Sequence, residues 1–403
     1  MRSHIRWSTP CRPAAFGERS PHALPGGRLP SGGHRPGERV LSSLVVLHQI
    51  PLLILFFLLL PASGLRAEST APPCRPPVSS FRIPDKITFC GEPVPLDRTD
   101  VRERLEREFY FLLDREGQLL LYIKRAARTH PVVEPILQTH GLPDDLKFVP
   151  VAESGLLFRA QSPARAVGYW QFLRATGNQY GLRVDRYVDD RRCLPRSTQA
   201  AAAYLRKLHD QFGSWPTALA GYNWGERNVE NAVEMQGTRD YYDLYLPDET
   251  ERYVFRILTL KLILEDPAAY AIHVPEESTY RLSPTATVSL YTHHHTPIRV
   301  LSACAGTPPR TLRHLNPWML RSELPAGTYT FTLPEGKEAG FEECVTQRQA
   351  AIKERVHVVK QGDSLGRIAE RHGVSVRDLE RWNNISRDKP IQPGQRLIIL
   401  HGD

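Results

Sequence analysis

The sequence predicts an α-rich domain at residues 98–275, followed by two small α+β modules at residues 283–340 and 354–403. Between residues 98 and 275, apolar residues recur at helical spacing and no strand-like alternation intervenes. Residues 354–403 have the pattern strand, helix, helix, strand, and a shift of 67 residues places the same pattern upstream. These observations favour one helical domain followed by a repeated βααβ unit, in a chain of 403 residues.

Residues 1–67 are interpreted as a leader that contains a signal peptide or an anchor. Residues 1–40 hold seven arginines against Glu18 and Glu38, which is +5 of the chain's net charge of +8. A nucleic-acid-binding protein would carry its basic patch on the folded part, so this charge distribution argues against nucleic acid as a partner. The apolar run Leu52–Leu60 is nine residues long, which suits a signal peptide better than a spanning helix of about 20 residues.

The predicted location follows from this leader. Ala67 is a suitable cleavage position, and an uncleaved membrane anchor is the alternative. We therefore expect an exported protein of the periplasm or cell envelope, with membrane association through the apolar segment left open.

The cysteines agree with export to an oxidising compartment, because five of the six follow Ala67. They stand in and after a Pro-rich linker at residues 68–97, and none has a CxxC or Cys/His spacing typical of metal sites. The favoured pairs are Cys74–Cys90 and Cys304–Cys344, which leaves Cys193 unpaired. Three adjacent histidines at 293–295 are interpreted as a solvated loop, so no metal and no cofactor is predicted.

The first helices follow from capping signals and apolar spacing. Thr99 or Asp100 is expected to begin the first helix, with Glu103 completing a capping box. Two further helices are predicted near residues 119–127 and 132–139.

Glu153 is the candidate acid. Pro143 is expected to start a helix, Pro150 to kink it, and Gly155 to end it just after Glu153. The helix dipole and an apolar setting would both disfavour the charged form of Glu153 and raise its pKa. A carboxyl protonated near neutral pH can serve as a general acid, whereas the alternative is an ordinary solvated glutamate at a helix end.

The later helices are predicted from similar signals. Ser197 could cap a helix that ends at Gly213, Trp215 begins the next, and Pro247 precedes the last. Before these helices, residues 185–192 are expected to form a solvated loop, in which Asp189 and Asp190 act as loop caps or as partners of the neighbouring arginines.

Four ordered sequence blocks carry a family resemblance, at Glu153–Gly155, Gly168–Phe172, Gly221–Gly225 and Glu249–Val254. Together they resemble the goose-lysozyme-like lytic transglycosylases, which cleave the glycan strands of peptidoglycan. The resemblance implies a lysozyme-like fold, with Glu153 as acid and then base. It also implies a saccharide cleft in which Ser154 bonds Glu153 or the substrate. The other implied substrate-binding residues are Gln171, Tyr222, Asn223 and Tyr253.

Two positions depart from the family pattern. Cys193-Leu194 stands where the family has Asp-Pro, which affects the expected loop conformation. Trp224 stands where the family has Ala, which would make one cleft wall bulkier.

Residues 354–403 resemble a LysM module, a type that binds chains containing N-acetylglucosamine. The 67-residue shift aligns Leu365 with Ile298, Gly373 with Gly306 and Asn383 with Asn316. The upstream copy lacks the Gly-Asp helix start, so residues 283–340 are interpreted as a degenerate LysM-like module. The sequence leaves open whether that copy binds glycan or packs against the helical domain. These modules extend the resemblance to the membrane-bound transglycosylases of the D type.

The function that this resemblance implies is cleavage of the β-1,4 bond between N-acetylmuramic acid and N-acetylglucosamine, with formation of 1,6-anhydromuramoyl ends. The partners would be peptidoglycan glycan strands and, through the LysM module, N-acetylglucosamine chains. Two alternatives stay open. One is a hydrolytic goose-type muramidase, and the other is a peptidoglycan-binding scaffold without catalytic activity.

Overall fold

The computed structural model describes residues 76–281, 283–385 and 390–401. The predicted leader at residues 1–67 and the residue Cys74 lie outside the described residues, so the signal peptide or anchor and the Cys74–Cys90 bridge stay predictions. Neither Cys90 nor Cys193 forms a disulfide with another described residue. In the same part of the chain, no helix combines the length and the apolar character needed to cross a membrane.

The helical domain has the predicted all-α character, with a short hairpin of β1 (Thr88–Phe89) and β2 (Glu92–Pro93) before it. Its helices are α1 (Thr99–Leu113), α2 (Glu116–Thr139), α3 (Val149–Ser154), α4 (Arg174–Gln179), α5 (Leu194–Phe212), α6 (Trp215–Trp224), α7 (Glu226–Gln236) and α8 (Asp248–Glu265). Helix α8 packs on α1, α3 and α6, and α5 packs on α2 and α6. One hydrophobic core joins these helices, with Leu105, Leu205 and Ile257 fully buried.

The predicted capping box at the start of α1 is wrong. The helix begins at Thr99, but the N-cap residue is Arg98, which makes no side-chain capping bond. Arg98 instead pairs with Asp100 and, at 2.6 Å, with Asp243. This ion pair ties the start of the helix to a distant loop.

The two helices predicted at residues 119–127 and 132–139 are one helix, α2, which contains Pro131 and Pro135. A proline inside a helix costs about 3 kcal/mol because it removes a hydrogen bond and crowds the preceding turn. Burial of Val133 and Leu137 on the same core as Leu119 offsets that cost.

The segment before Glu153 changes helix type instead of kinking at Pro150. A 3-10 helix at Asp144–Phe148 leads directly into α3, and Pro150 lies in the first turn of α3. The missing N–H of a proline breaks no helical bond at that position. Gly155 ends the helix with φ 57°, as the sequence predicted.

Helix α5 begins three residues before Ser197, with Pro195 in its first turn. The Ser197 hydroxyl donates to the carbonyls of Cys193 and Leu194 inside the helix, so its predicted role as a cap is wrong. The predicted end at Gly213 and the predicted starts of α6 and α8 are confirmed.

The upstream module, defined here as residues 283–350, has the predicted βααβ order. It contains β3 (Thr285–Thr292), β4 (Thr296–Pro297), α9 (Ile298–Cys304), α10 (Pro309–Leu315), β5 (Glu323–Leu324), β6 (Gly327–Pro334) and α11 (Glu338–Ala350). Strands β3 and β6 pair antiparallel, from Thr285 opposite Pro334 to Thr292 opposite Gly327. Helix α11 packs on the same core, and the predicted Cys304–Cys344 disulfide, which is confirmed, joins it to α9.

The C-terminal module, defined here as residues 353–401, also has the predicted order. It contains β7 (Lys353–Val358), α12 (Leu365–His372), α13 (Val376–Trp382) and β8 (Arg396–His401), with β7 and β8 antiparallel. Ser364 caps α12 by accepting a hydrogen bond from the Arg367 N–H. Its small core includes Ile368, Leu379 and Leu397.

Equivalent asparagines show that the two modules are structural repeats. Asn316 accepts from the Thr332 N–H at 2.8 Å and donates to the Thr332 carbonyl at 2.7 Å. Asn383 makes the same pair of bonds to Ile398, at 2.6 and 2.8 Å. In both modules the side chain ties the second helix to the last strand, and the 67-residue shift aligns the two asparagines.

Candidate active site

Glu153 lies at the C-terminal end of α3 and receives a hydrogen bond from α8. The Tyr253 hydroxyl, on a side chain that is 1% exposed, donates to Glu153 Oε1 at 2.5 Å. Helix α3 packs against α8, so this contact is fixed by the packing of two elements 100 residues apart in sequence. These two predicted site residues therefore meet directly.

Burial raises the pKa of Glu153 to about 7, which is the direction the sequence predicted. The Tyr253 hydrogen bond and the positive charge of Arg256 act in the opposite direction, since both favour the carboxylate. The carboxyl is thus close to half-protonated at neutral pH. It can both donate and accept a proton there, as an acid–base catalyst must.

Glu249 is the neighbouring carboxylate whose charge acts on Glu153. It is engaged by Arg256, whose Nη1 donates to Glu249 Oε1 at 2.9 Å. Behind this pair, Glu108 is buried and accepts from Arg252 at 2.6 Å. Each of these two carboxylates is thus paired with an arginine, which leaves little net charge around Glu153.

Ser154 faces a loop rather than Glu153. Its hydroxyl lies 2.8 Å from the Tyr169 carbonyl and 3.0 Å from the Pro150 carbonyl. Gln171 lies in the same loop with φ 49°, and its amide nitrogen donates to the Gly168 carbonyl at 2.8 Å. We call residues 160–172, which include the acceptors Gly168 and Tyr169, the site loop.

Tyr222 and Asn223 lie near the end of α6. The Tyr222 hydroxyl donates to the Trp170 carbonyl of the site loop at 2.7 Å, and burial raises its pKa well above the usual value. Asn223 Oδ1 accepts from the Thr250 hydroxyl of α8 at 2.9 Å. Trp224, the departure from the family pattern, is partly buried against the core of the helical domain.

A buried ion pair, which sequence reasoning placed in a solvated loop, holds the site loop from behind. Asp189 is 3% exposed and binds Arg191 through both carboxylate oxygens, at 2.8 and 3.0 Å. Arg191 Nη1 then donates to the Phe172 carbonyl at 3.0 Å.

Asp190 is also buried and pairs with Arg196. The expectation of solvent around Asp189 and Asp190 is wrong, whereas the expected pairing of Asp189 with Arg191 is confirmed. The available signal in the sequence was the run of two aspartates followed by two arginines at residues 189–192.

A row of tyrosines extends from the site. The ring centroids of Tyr222 and Tyr204 are 5.4 Å apart, and those of Tyr204 and Tyr180 are 5.0 Å apart. The row ends at an open cleft of about 220 Å³, whose lining includes Lys207 and Glu226. Tyr180 and Tyr204 themselves form part of the lining of this cleft.

In the part of the chain that the structure describes, no cluster of His, Cys, Asp or Glu has the arrangement of a metal site. Of the three adjacent histidines, His293 is exposed, while the other two are partly buried.

Two family models match the chain. Residues 133–245 match the transglycosylase SLT domain, and residues 357–400 match the LysM domain. These matches confirm the predicted order of a lysozyme-like helical domain and a C-terminal LysM module.

Individual proteins and one solved structure are also similar. The chain is 30% identical over 286 residues to membrane-bound lytic murein transglycosylase D of Escherichia coli, a match that covers 66% of this chain and 62% of that protein. The chain thus spans less than two thirds of that relative's length. A segment of 45 residues, 11% of this chain and 15% of the other, is 49% identical to an N-acetylmuramoyl-L-alanine amidase of Bacillus subtilis. The structure of an inactive variant of the lytic transglycosylase Slt from Pseudomonas aeruginosa aligns with a TM-score of 0.30 and 22% identity, over 37% of this chain and 26% of that chain.

Proposed function

We propose that this chain, which carries a transglycosylase SLT domain followed by a LysM domain, is a peptidoglycan lytic transglycosylase. The proposed substrate is the β-1,4 bond between N-acetylmuramic acid and N-acetylglucosamine. The observation that carries this proposal is the carboxyl of Glu153, which lies inside the matched SLT domain, has a pKa of about 7 and is held by Tyr253 of α8.

The proposed reaction uses Glu153 twice. The protonated carboxyl donates its proton to the glycosidic oxygen while the bond from that oxygen to C1 of the muramoyl residue breaks. The carboxylate then accepts the proton of the muramoyl C6 hydroxyl, whose oxygen bonds to C1 and closes a 1,6-anhydro ring. Atoms balance without water, and Glu153 ends in its starting protonation state.

An intramolecular nucleophile suits a site with one available carboxyl. Hydrolytic glycosidases use a pair of carboxylates, one as acid and the other as base or nucleophile. Here Glu249 is bound by Arg256, and Asp189 is bound by Arg191 behind the site loop. The C6 hydroxyl, already tethered beside C1, has a high effective concentration relative to water.

The other site residues are assigned roles by their contacts. Tyr253 orients the Glu153 carboxyl, and Tyr222 fixes the site loop through Trp170. The amide nitrogen of Gln171 is held by the loop, which leaves its carbonyl end to face the sugar N-acetyl group. Ser154 holds the loop through the Tyr169 carbonyl, and Asn223, which is bonded to Thr250 of α8, would contact the substrate from the end of α6. Tyr180 and Tyr204 line the cleft, where their rings would contact sugar rings.

We further propose that the C-terminal module binds N-acetylglucosamine chains and that the protein acts in the cell envelope after export. The LysM match supports the glycan partner, and the named relative is a membrane-bound murein transglycosylase. Membrane association through residues 41–60 is part of this proposal.

Product analysis tests the proposal. The pure protein is incubated with sacculi and the soluble products are weighed by mass spectrometry. We expect muropeptides lighter by one water than hydrolytic products, and we expect Glu153→Gln to release none, because an amide cannot donate or recover the proton. Glu103→Gln, on an exposed glutamate of α1, is the matched control and should release the same products as the wild type.

Two results would favour the alternatives. Reducing ends without anhydro products would identify a muramidase that uses water as the nucleophile. Retention on sacculi without any soluble product would identify a binding scaffold.

A further inference from the structure

We propose that the upstream module positions the active-site loop and is not a second glycan-binding module. The link is the bridging segment, defined here as residues 185–193, which lies between the module and the site loop. This inference rests on the proposed function only for the catalytic role of Glu153, which the site loop borders. It makes Val188 and Asp189 positioning residues for the reaction.

The bridging segment is hydrogen-bonded to the upstream module through its backbone. The Asp189 N–H donates to the Trp318 carbonyl at 2.9 Å, and the Leu320 N–H donates to the Tyr187 carbonyl at 2.8 Å. Between these two bonds, Val188 pairs with Met319 as an antiparallel bridge. The contact has the form of a short two-stranded ladder, which fixes register as well as proximity.

The segment also completes the core of the upstream module. Val188 is 2% exposed and belongs to the hydrophobic cluster of the upstream module, together with Leu301, Met319 and Phe331. The partly buried Tyr187 packs on the same cluster. Without the segment, these apolar side chains would face water, so the module has a direct energetic reason to stay docked.

Arginine side chains reinforce the contact at its edge. Arg196, on α5, pairs with Asp190, donates to the Thr330 carbonyl at 3.0 Å and lies 5.3 Å from the Trp318 ring centroid. Arg183 lies over the Tyr329 ring at 5.5 Å. Both arginines belong to the helical domain, and both rings belong to the upstream module.

From the bridging segment the contacts continue into the site loop. The Asp189 carboxylate holds Arg191, which donates to the carbonyls of Phe172 at 3.0 Å and Arg165 at 3.2 Å. The backbone of Gly168 lies so close that a Cβ there would be 1.9 Å from the Arg191 carbonyl oxygen. The loop therefore cannot keep its position if the bridging segment moves.

The site loop in turn touches both neighbours of the acid. The Tyr169 carbonyl accepts from Ser154, the residue after Glu153. The Trp170 carbonyl accepts from Tyr222, whose pKa is raised first by burial and then by the nearby charge of Glu153. A misplacement of about 1 Å can cost roughly 100-fold in rate. A small shift of the bridging segment, passed through these contacts to the site loop, would therefore lower the rate of catalysis.

The upstream module also differs from the C-terminal module at the start of its first helix. The 67-residue shift places His295 and Thr296 opposite Gly362 and Asp363. There the buried Gln349 side chain of α11 donates to Thr296 Oγ1 at 2.8 Å and accepts from the His293 N–H at 3.0 Å. That face of the upstream module is thus filled by its own last helix.

Amide hydrogen exchange on the full chain tests the proposal without relying on activity. Val188→Asp and Met319→Asp each place a carboxylate in the contact, one from either side. We expect the amides of Val167 and Gly168, which bond to Phe172 and Ala160 within the site loop, to exchange about tenfold faster in both variants. Tyr291→Asp adds the same charge at a position that is 53% exposed on the upstream module, and should leave those amides unchanged.

Kinetics and binding provide the second measurement. On a short soluble glycan we expect both interface variants to lower kcat by about tenfold, with retention on sacculi within about twofold of the wild type. If the upstream module were a glycan binder, retention would fall while kcat and loop exchange stayed at wild-type values. That result, or wild-type exchange at Val167 and Gly168, would overturn the proposal.

Two features keep the outcome interpretable. Arg196→Gln, at a position that is 30% exposed, removes the ion pair with Asp190 and the bond to Thr330 and adds no charge to the contact, so it serves if the aspartate variants fail to fold. It should show the same exchange change in smaller degree, and wild-type exchange would again contradict the proposal. If the wild-type chain released no product at all, the proposed function would fail while the exchange experiment still decided the role of the upstream module.

Discussion

At the scale of single residues, the pKa of Glu153 is a balance between burial and a hydrogen bond, which act in opposite directions. Burial disfavours the carboxylate and raises the pKa, while the Tyr253 hydroxyl stabilises the carboxylate at 2.5 Å and lowers it. The value of about 7 is the result of both. The proposed mechanism needs such a value because the same group must lose and regain a proton within one turnover.

We expect Tyr253→Phe to move the pH profile to higher pH. Glu153 acts as an acid, so kcat should be high below its pKa and fall as pH rises through about 7 in the wild type. Removing the Tyr253 hydroxyl removes a hydrogen bond that favours the Glu153 carboxylate, so the pKa of Glu153 rises further. The fall of kcat should therefore move to higher pH. The measurement is kcat against pH on a soluble glycan. Tyr222→Phe is the comparison, since its hydroxyl donates to Trp170 and its loss should lower kcat without moving the limb.

Folding stability offers a check on the same pKa that needs no substrate. The folded pKa of Glu153 lies above its unfolded value of 4.5, so unfolding releases a proton between these pH values. The Glu153→Gln variant should therefore match the wild type below pH 4.5 and be more stable than it above pH 7, by about 3 kcal/mol. Urea unfolding at several pH values measures this difference. A constant difference across the range would mean that the pKa is not raised.

Gly168 is required by a close approach as well as by its backbone angle. We expect Gly168→Ala to lose about 3 kcal/mol or more, because its Cβ would lie 1.9 Å from the Arg191 carbonyl oxygen. Gly181→Ala is the matched control, since Gly181 has a similar φ of 83° but open space around the added Cβ, and should cost only about 1 kcal/mol. Thermal unfolding compares the two. Equal losses would mean that backbone strain alone explains the glycine at 168.

At the scale of elements, the ends of helices carry the site. Glu153 lies at the end of α3 and Tyr222 near the end of α6, and both helices pack on α8, which supplies Tyr253. A helix end presents side chains toward a cleft while its other turns stay buried in the core. In the upstream module, the disulfide between Cys304 and Cys344 fixes the last helix, α11, to α9.

Loss of this disulfide should destabilise the upstream module. The bridge spans 40 residues, and closing such a loop is worth roughly 3–4 kcal/mol in the chain-entropy account. Peptide mapping without reduction should recover the linked pair, and the double variant Cys304→Ser/Cys344→Ser should unfold at lower denaturant. Reductant should bring the wild type to the level of the double variant and leave the double variant unchanged. Freely alkylated thiols in the native protein would contradict the pairing.

At the scale of the described molecule, residues 76–401 contain three hydrophobic cores, one for the helical domain and one for each module. The core of the upstream module includes Val188 of the helical domain, whereas the C-terminal module closes its small core with its own residues. A module with its own core can act as a tether, which raises the local concentration of substrate without altering the chemistry.

Deletion of residues 356–403 should therefore separate binding from turnover. We expect weaker retention on insoluble sacculi, with kcat on short soluble glycans within about twofold of the wild type. Co-sedimentation and product release measure the two effects on the same preparation. A comparable loss on both substrates would assign the C-terminal module a structural role.

Local features of the structure were predictable because their signals are local. Gly155 and Gly213 end helices where left-handed backbone is needed, and the second module repeats the first at a fixed spacing. Predictions failed where a distant partner competes with a local signal. Arg98 pairs with Asp243 in place of the capping box, and burial of Val133 keeps α2 continuous through two prolines.

The sequence by itself determined the all-α domain, the repeated βααβ modules and Glu153 as the candidate acid, because periodicity, turn residues and motif order encode them. The tertiary structure decided that Asp189 is buried, that Val188 completes the core of another module, and that Tyr253 meets Glu153. Tyr253 and Glu153 are 100 positions apart, and Val188 lies even farther from the residues of the module that it packs against. A hydrophobic pattern predicts that a residue is buried, but it does not identify the distant residue that it contacts. Burial against particular neighbours sets the pKa of about 7, so the chemistry of the site was fixed only when the chain packed.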